Sequence, residues 1–231
     1  MEKGLAIVMG KEIDLTNVHK FGENSGLTSS GYESIWSPGG LYPWSEFDGG
    51  AVTLYAISTE SGDTGTLDIV GLDENYVDQT ETITLTGDTA VTSTKQFIRV
   101  FRLVYTDTVN AGTITVRTGS GTGTIVAQID AENGQSTMAL YTVPKTHKGY
   151  LSSITVGTGK NDDASVKVLC RTYGDTNFRI LNQVKSFQST TVQDFPVPLF
   201  LAPGTDLDVI GLTTSANSGC IVNFDVILDK V

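Results

Sequence analysis

Only two of the 231 residues are cysteine, two are histidine and six are proline. Two cysteines in a chain of this length make no disulfide scaffold. Cys170 and Cys220, each inside an alternating strand pattern, read instead as small buried hydrophobes. Two histidines and two cysteines without ligand spacing make no zinc site either. Lysine and arginine are scarce, 15 against 26 aspartates and glutamates, which gives a formal net charge of -11 and a pI near 4.5. Neutralising phosphate takes clustered Lys and Arg; no such cluster occurs, so nucleic acid is not an expected partner. Long apolar runs are missing too. The stretch at residues 5–9 is too short to span a membrane and lacks the core length and cleavage pattern of a signal peptide. With no Asn-X-Ser/Thr acceptor in the sequence, synthesis in a reducing cytoplasm is expected.

What the chain does contain is a succession of short segments with apolar or β-branched residues at period two, set between Gly, Thr, Asn and Asp. They fall at residues 51–58, 66–70, 82–85, 97–105, 113–117, 124–129 and 138–143, and continue at 150–156, 165–171, 178–184, 197–201, 207–212 and 221–228. No segment reads as a long helix. The predicted fold is all-β, a β-sandwich or jelly roll, in which each strand shows one face to a shared core. Hydrophobic residues make up 39% of the chain, enough for one large β domain or two small ones without covalent staples. Residues 119–123 (GSGTG) and 158–163 (TGKNDD) read as hairpin loops. Pro144, Pro196, Pro198 and Pro203 are expected at strand ends, where proline costs a sheet least.

The pattern changes near residue 50. Residues 1–50 show one short apolar stretch followed by a turn-rich run containing Asn17, Gly22, Asn24, Gly26, Gly31, Pro38, Gly39, Gly40 and Pro43. This predicts an extended N-terminal arm over 1–50 and a jelly-roll-like region over 51–231, either one sandwich or two packed β subdomains. Yet the arm holds both tryptophans, Trp36 and Trp44, with Phe21, Tyr32, Tyr42 and Phe47. Disordered tails are poor in large aromatics. The six rings are therefore candidate partner-binding residues, either packed on the chain's own core or laid on a neighbour as anchors.

Sites for chemistry fail one after another. GSGTG runs into a strand instead of the helix N-terminus that a phosphate site needs. Gly159-Lys160 has the wrong neighbours for a P-loop. No Gly-X-Ser-X-Gly elbow accompanies His19 or His147. Asp206 with Asp208, and Asp162 with Asp163, could take calcium adventitiously, although solvated turn carboxylates explain them more simply. No catalytic residue, cofactor or metal site is nominated, and enzyme activity is not expected. The charge is uneven: -4 over residues 1–50, -6 over 51–110 and -1 over 111–231. That asymmetry is consistent with a docking surface for something basic, although a solvated acidic face explains it more simply.

Residues 71–102 (GLDENYVDQTETITLTGDTAVTSTKQFIRVFR), 129–151 (IDAENGQSTMALYTVPKTHKGYL) and 198–211 (PLFLAPGTDLDVIG) resemble β-rich virion proteins of tailed bacteriophages, marine ones especially. The resemblance implies a structural component at the particle surface, first a capsid decoration (cement) protein bound to the major capsid protein or other virion proteins. A tail or fibre-attachment adaptor is the second role it implies. It carries over no catalytic residues. A glycan-binding adhesin using the aromatic cluster is a third class. Homo-oligomers are expected, with a trimer favoured by analogy to shell jelly rolls, and neither membrane nor nucleic acid is an expected partner.

Overall fold

The computed structural model describes Ile7, Glu12 and residues 14–106, 109–159 and 162–231. Apart from Ile7, the stretch at 5–9 lies outside the described residues, as do Lys160 and Asn161 of the TGKNDD loop. The strands are β1 (Leu15–Leu27), β2 (Glu33–Ser34), β3 (Val52–Ser58), β4 (Thr66–Leu72), β5 (Asp78–Thr84) and β6 (Val91–Phe97). They continue with β7 (Arg99–Tyr105), β8 (Ile114–Arg117), β9 (Ile125–Ile129), β10 (Leu140–Thr142) and β11 (His147–Thr158). The last five are β12 (Asp163–Arg171), β13 (Arg179–Phe187), β14 (Thr190–Leu201), β15 (Asp206–Thr213) and β16 (Ser218–Lys230). The expected all-β fold is what the structure shows, as layers of antiparallel sheet. Among the described residues no helix is long and apolar enough to cross a membrane.

The chain divides into two units, and the division does not fall at residue 50. One unit comprises residues 1–35 and 139–231; the other comprises 36–138. The predicted 1–50 arm is thus split, because each half finds sheet or core partners in a different unit.

In the first unit one sheet has the order β1-β16-β11-β14, and the second has the order β10-β15-β12-β13, with β2 also pairing β15. β12 and β13 pair within one sheet, while the connections β1–β2, β10–β11, β11–β12, β13–β14, β14–β15 and β15–β16 each cross between the sheets, in the manner of a double Greek-key jelly roll. In β16 the buried residues Cys220, Val222, Phe224, Val226 and Leu228 alternate with more exposed ones, so one face lines the core and the other faces outward. The segment read as turn-rich is strand β1, in register with β16 from Leu15↔Asp229 to Asn24↔Cys220. Gly22 sits mid-strand because a Cβ there would overlap the Ala139 amide nitrogen and the Ile35 carbonyl oxygen.

β2 and β10 occupy a single lane along β15. Glu33 and Ser34 pair Gly211 and Ile210, and Leu140 to Thr142 pair Asp208 to Asp206. Between them, Val209 accepts from the Ile35 amide at 2.8 Å and donates to the Ala139 carbonyl at 3.3 Å. The chain therefore leaves a strand at one position, builds the whole second unit and re-enters the same strand.

The second unit is an antiparallel sandwich of a β6-β3-β8-β9 sheet and a β5-β4-β7 sheet. Its buried residues include Leu54, Leu67, Ile69, Leu72, Phe97, Leu103 and Ile114. GSGTG closes the β8–β9 hairpin as expected, with Gly121 at φ 67° and the Thr118 amide donating to the Thr124 carbonyl at 3.1 Å. TGKNDD is not a hairpin loop, since β11 and β12 on either side of it belong to different sheets. This second unit holds 13 acidic against four basic residues, so -9 of the chain's -11 charge resides in it.

Candidate interaction surface

Four of the six candidate aromatics, Trp36, Tyr42, Trp44 and Phe47, are buried in the second unit. Positive φ at Gly39 and Gly40 curls the segment back, and the Trp36 Nε1 donates to the Gly39 and Gly40 carbonyls at 3.0 and 3.1 Å. Trp36, Tyr42 and Trp44 form an edge-to-face chain with centroids 5.0 and 4.8 Å apart. The Arg99 guanidinium lies 5.4 Å from the Trp44 ring, 5.9 Å from Phe47 and 5.3 Å from Tyr76, so the aromatic faces hold a cation supplied by their own unit. Glu46, in the same segment, accepts hydrogen bonds from Thr118 and Thr124 at 2.6 and 2.8 Å. Those bonds hold its carboxyl below the usual range. These four rings build a core, and as buried groups they cannot serve as exposed anchors.

Phe21 and Tyr32 are half-buried and belong to the first unit. Tyr32 is fixed by its hydroxyl, 3.1 Å from the Ser165 Oγ, and by the Lys167 ammonium 3.8 Å from its ring centroid. Phe21 stands on β1 with its ring 6.3 Å from that of His19. The structure does not bring the six aromatics together.

Five of the exposed large apolar side chains lie together in sequence elsewhere, on β13 and β14. β13 and β14 are edge strands of the two jelly-roll sheets, joined by Gln188 and Ser189 and bridged by Asn182 Nδ2 donating to Gln193 Oε1 at 3.0 Å. On them Ile180 is 56% exposed, Phe187 65%, Val192 61%, Val197 81% and Phe200 56%. Pro196 and Pro198 lie inside β14, not at its ends. They fall in the bulge where Leu151 pairs Leu199 and Ser153 pairs Asp194, leaving Phe195 to Pro198 opposite Ser152. Two prolines remove two backbone donors from this edge and oppose pairing with a foreign strand. Val197, held between them, projects outward. The sequence signal was present in Pro-Val-Pro beside Leu-Phe, but period two alone does not say which face of an edge strand is left uncovered.

The polar clusters are structural. On the outer face of the first sheet, His19 Nδ1 lies 2.9 Å from Asp225 Oδ1, and Ser153 Oγ donates to Asp225 Oδ2 at 2.9 Å. A hydrolytic triad needs imidazole between hydroxyl and carboxylate; here the carboxylate stands between the other two. Burial pushes the Asp225 pKa up, but hydrogen bonds from His19, Ser153 and Asn17 outweigh it and keep the carboxyl below its ordinary value. Asp206 and Asp208 are not solvated turn carboxylates. Both are buried, Asp206 accepting from Arg171 Nε and Nη2 at 3.0 and 2.8 Å and from Thr142 at 2.7 Å, Asp208 from Ser34 at 3.1 Å. Asp162 is buried also, taking Thr214 Oγ1 at 2.8 Å on Oδ1. Among the described residues no three His, Cys, Asp or Glu side chains gather as metal ligands. A shallow depression of about 380 Å³ on the second unit, bordered by Asp73, Glu74, Gln79, Lys95 and Gln96, is polar and open.

No family model matches the chain, and no curated protein matches it. Among solved structures the chain has weak similarity to two of infectious bursal disease virus. The Gt strain structure aligns over all of this chain and 83% of that one, with 8% identity and a TM-score of 0.21. The Gx strain structure aligns over 94% and 75%, with 8% identity and a TM-score of 0.24. Scores this low establish no common fold.

Proposed function

We propose that this chain is a structural protein of a virus particle, of the tailed-phage kind its sequence resembles, and that it decorates and stabilises the outer shell through protein–protein contacts. The observation that carries the reading is a jelly roll whose β13–β14 edge leaves five large apolar side chains more than half exposed. A monomer that stays in solution rarely maintains such a patch, and patches of this kind mark interaction surfaces. Jelly rolls serve as shell proteins, lectins and cupins. The lectin-like reading loses three of its four candidate rings, because Trp36, Tyr42 and Trp44 are buried, and is left with the half-buried Tyr32. An acidic inserted unit suits the solvent side of a particle, where net charge opposes aggregation. Co-sedimentation tests the proposal: the purified chain should pellet with assembled shells and not with free capsid subunits. Equal binding to both, or to neither, contradicts it.

A further inference from the structure

We infer that the β13–β14 edge is a two-fold self-association surface, occupied by the same edge of a second copy of this chain. The inference rests on the particle-protein reading and names one of its contacts. Three observations carry it. First, β13 and β14 each have a sheet neighbour on one side only, and their exposed apolar residues lie on two consecutive edge strands, one from each sheet. Second, the two strands carry opposite charge. β13 (RILNQVKSF) has Arg179 and Lys185 and no acid, while β14 (TTVQDFPVPLFL) has Asp194 and no base, and all three side chains are exposed. An isologous contact places a patch against itself. Here it would set β13 of one copy on β14 of the other, so that Lys185 meets Asp194 twice over, once in each direction, while the apolar residues are covered. Like-charged edges would repel in that arrangement; this edge is complementary to itself.

Third, the contact is closed. Pro196 and Pro198 deny β14 the donors that open-ended strand addition would need, so side chains and not a continued sheet make the joint.

Sedimentation equilibrium of the full chain reads the result. The unmodified protein should form a dimer, and Val197→Asp with Phe200→Asp should weaken it about tenfold or more, the scale expected for desolvated anchors. Both residues face outward, and circular dichroism reports whether the variant folds. Two surface reversals keep the inference testable if it does not: Lys185→Glu and Asp194→Lys should each weaken the dimer, and the double variant should restore it. A monomer at every soluble concentration, a trimer, a dimer indifferent to these changes, or a failure of the double variant to rescue would each overturn the inference. A dimer of this kind that is absent from purified particles refutes the particle reading alone. A particle-bound chain that is monomeric in solution refutes this inference alone.

Discussion

Ala139 donates its amide hydrogen to the carbonyl of Ile35 at 2.9 Å, and these two residues, separated in sequence by the entire second sandwich, both lie opposite Val209. Closing the chain there demands almost no rearrangement of the jelly roll. Removal of residues 36–139, joining Ile35 to Leu140, should leave a folded β protein with the β15 pairing intact, because one residue then supplies both hydrogen bonds to Val209. Far-ultraviolet circular dichroism and a cooperative thermal transition check this. Loss of cooperative unfolding would show that the first unit depends on the second.

The buried rings give a prediction about stability. Trp36→Ala and Trp44→Ala should each destabilise the protein by about 3 to 5 kcal/mol, the usual result of truncating a buried large aromatic. The loss should appear in denaturant unfolding. Wild-type stability with weakened shell attachment would mean that these rings anchor a partner after all.

Much of the fold was legible in the sequence, and the misses have physical causes. The segments expected at 113–117, 124–129, 165–171 and 207–212 lie close to β8, β9, β12 and β15, because these strands are dense in apolar and β-branched residues bounded by turn residues. Strand β1 was hidden by its composition. Lys20 and Asn24 are buried, and Gly22 marks close packing, not a turn. Strand β6 (VTSTKQF) was hidden in the same way, since it is polar and mostly exposed. The position of the unit boundary was not legible, because the chain crosses it inside a strand lane fixed by long-range pairing to Val209. The aromatic cluster was read correctly as ordered, yet its burial depends on Arg99 and Val100, far along the chain. The β13–β14 edge is not legible in the sequence, because exposure at an edge depends on which strands lie beside it.

Acid should weaken the second unit through Asp63. Burial pushes its pKa up, but hydrogen bonds from Ser58 Oγ at 2.5 Å and from the Ala111 and Gly112 amides at 2.8 and 2.9 Å outweigh that effect and hold it below the ordinary value. The folded state then binds the proton less readily than the unfolded chain. Its stabilisation is fully present above the ordinary aspartate pKa of about 3.9 and is lost as pH falls through the lower folded value. Asp63→Asn should cost about 1 to 3 kcal/mol at neutral pH and flatten the acid dependence of unfolding below about pH 4. An unchanged acid profile would show that Asp63 does not govern it.

The two thiols should differ in reactivity. Burial raises both, with Cys220 pushed up to about 12, while Cys170 is only half-buried. Thiolate is the reactive form, so maleimide at neutral pH should modify Cys170 slowly and Cys220 only after denaturation. Rapid labelling of Cys220 in the native protein would contradict the packing of β16.

The most direct test of the central claim is immunogold labelling of the protein on intact particles viewed by electron microscopy. Label distributed over the outer shell at many copies per particle is the expected result. Label confined to the tail, or purified particles that lack the protein, would contradict it.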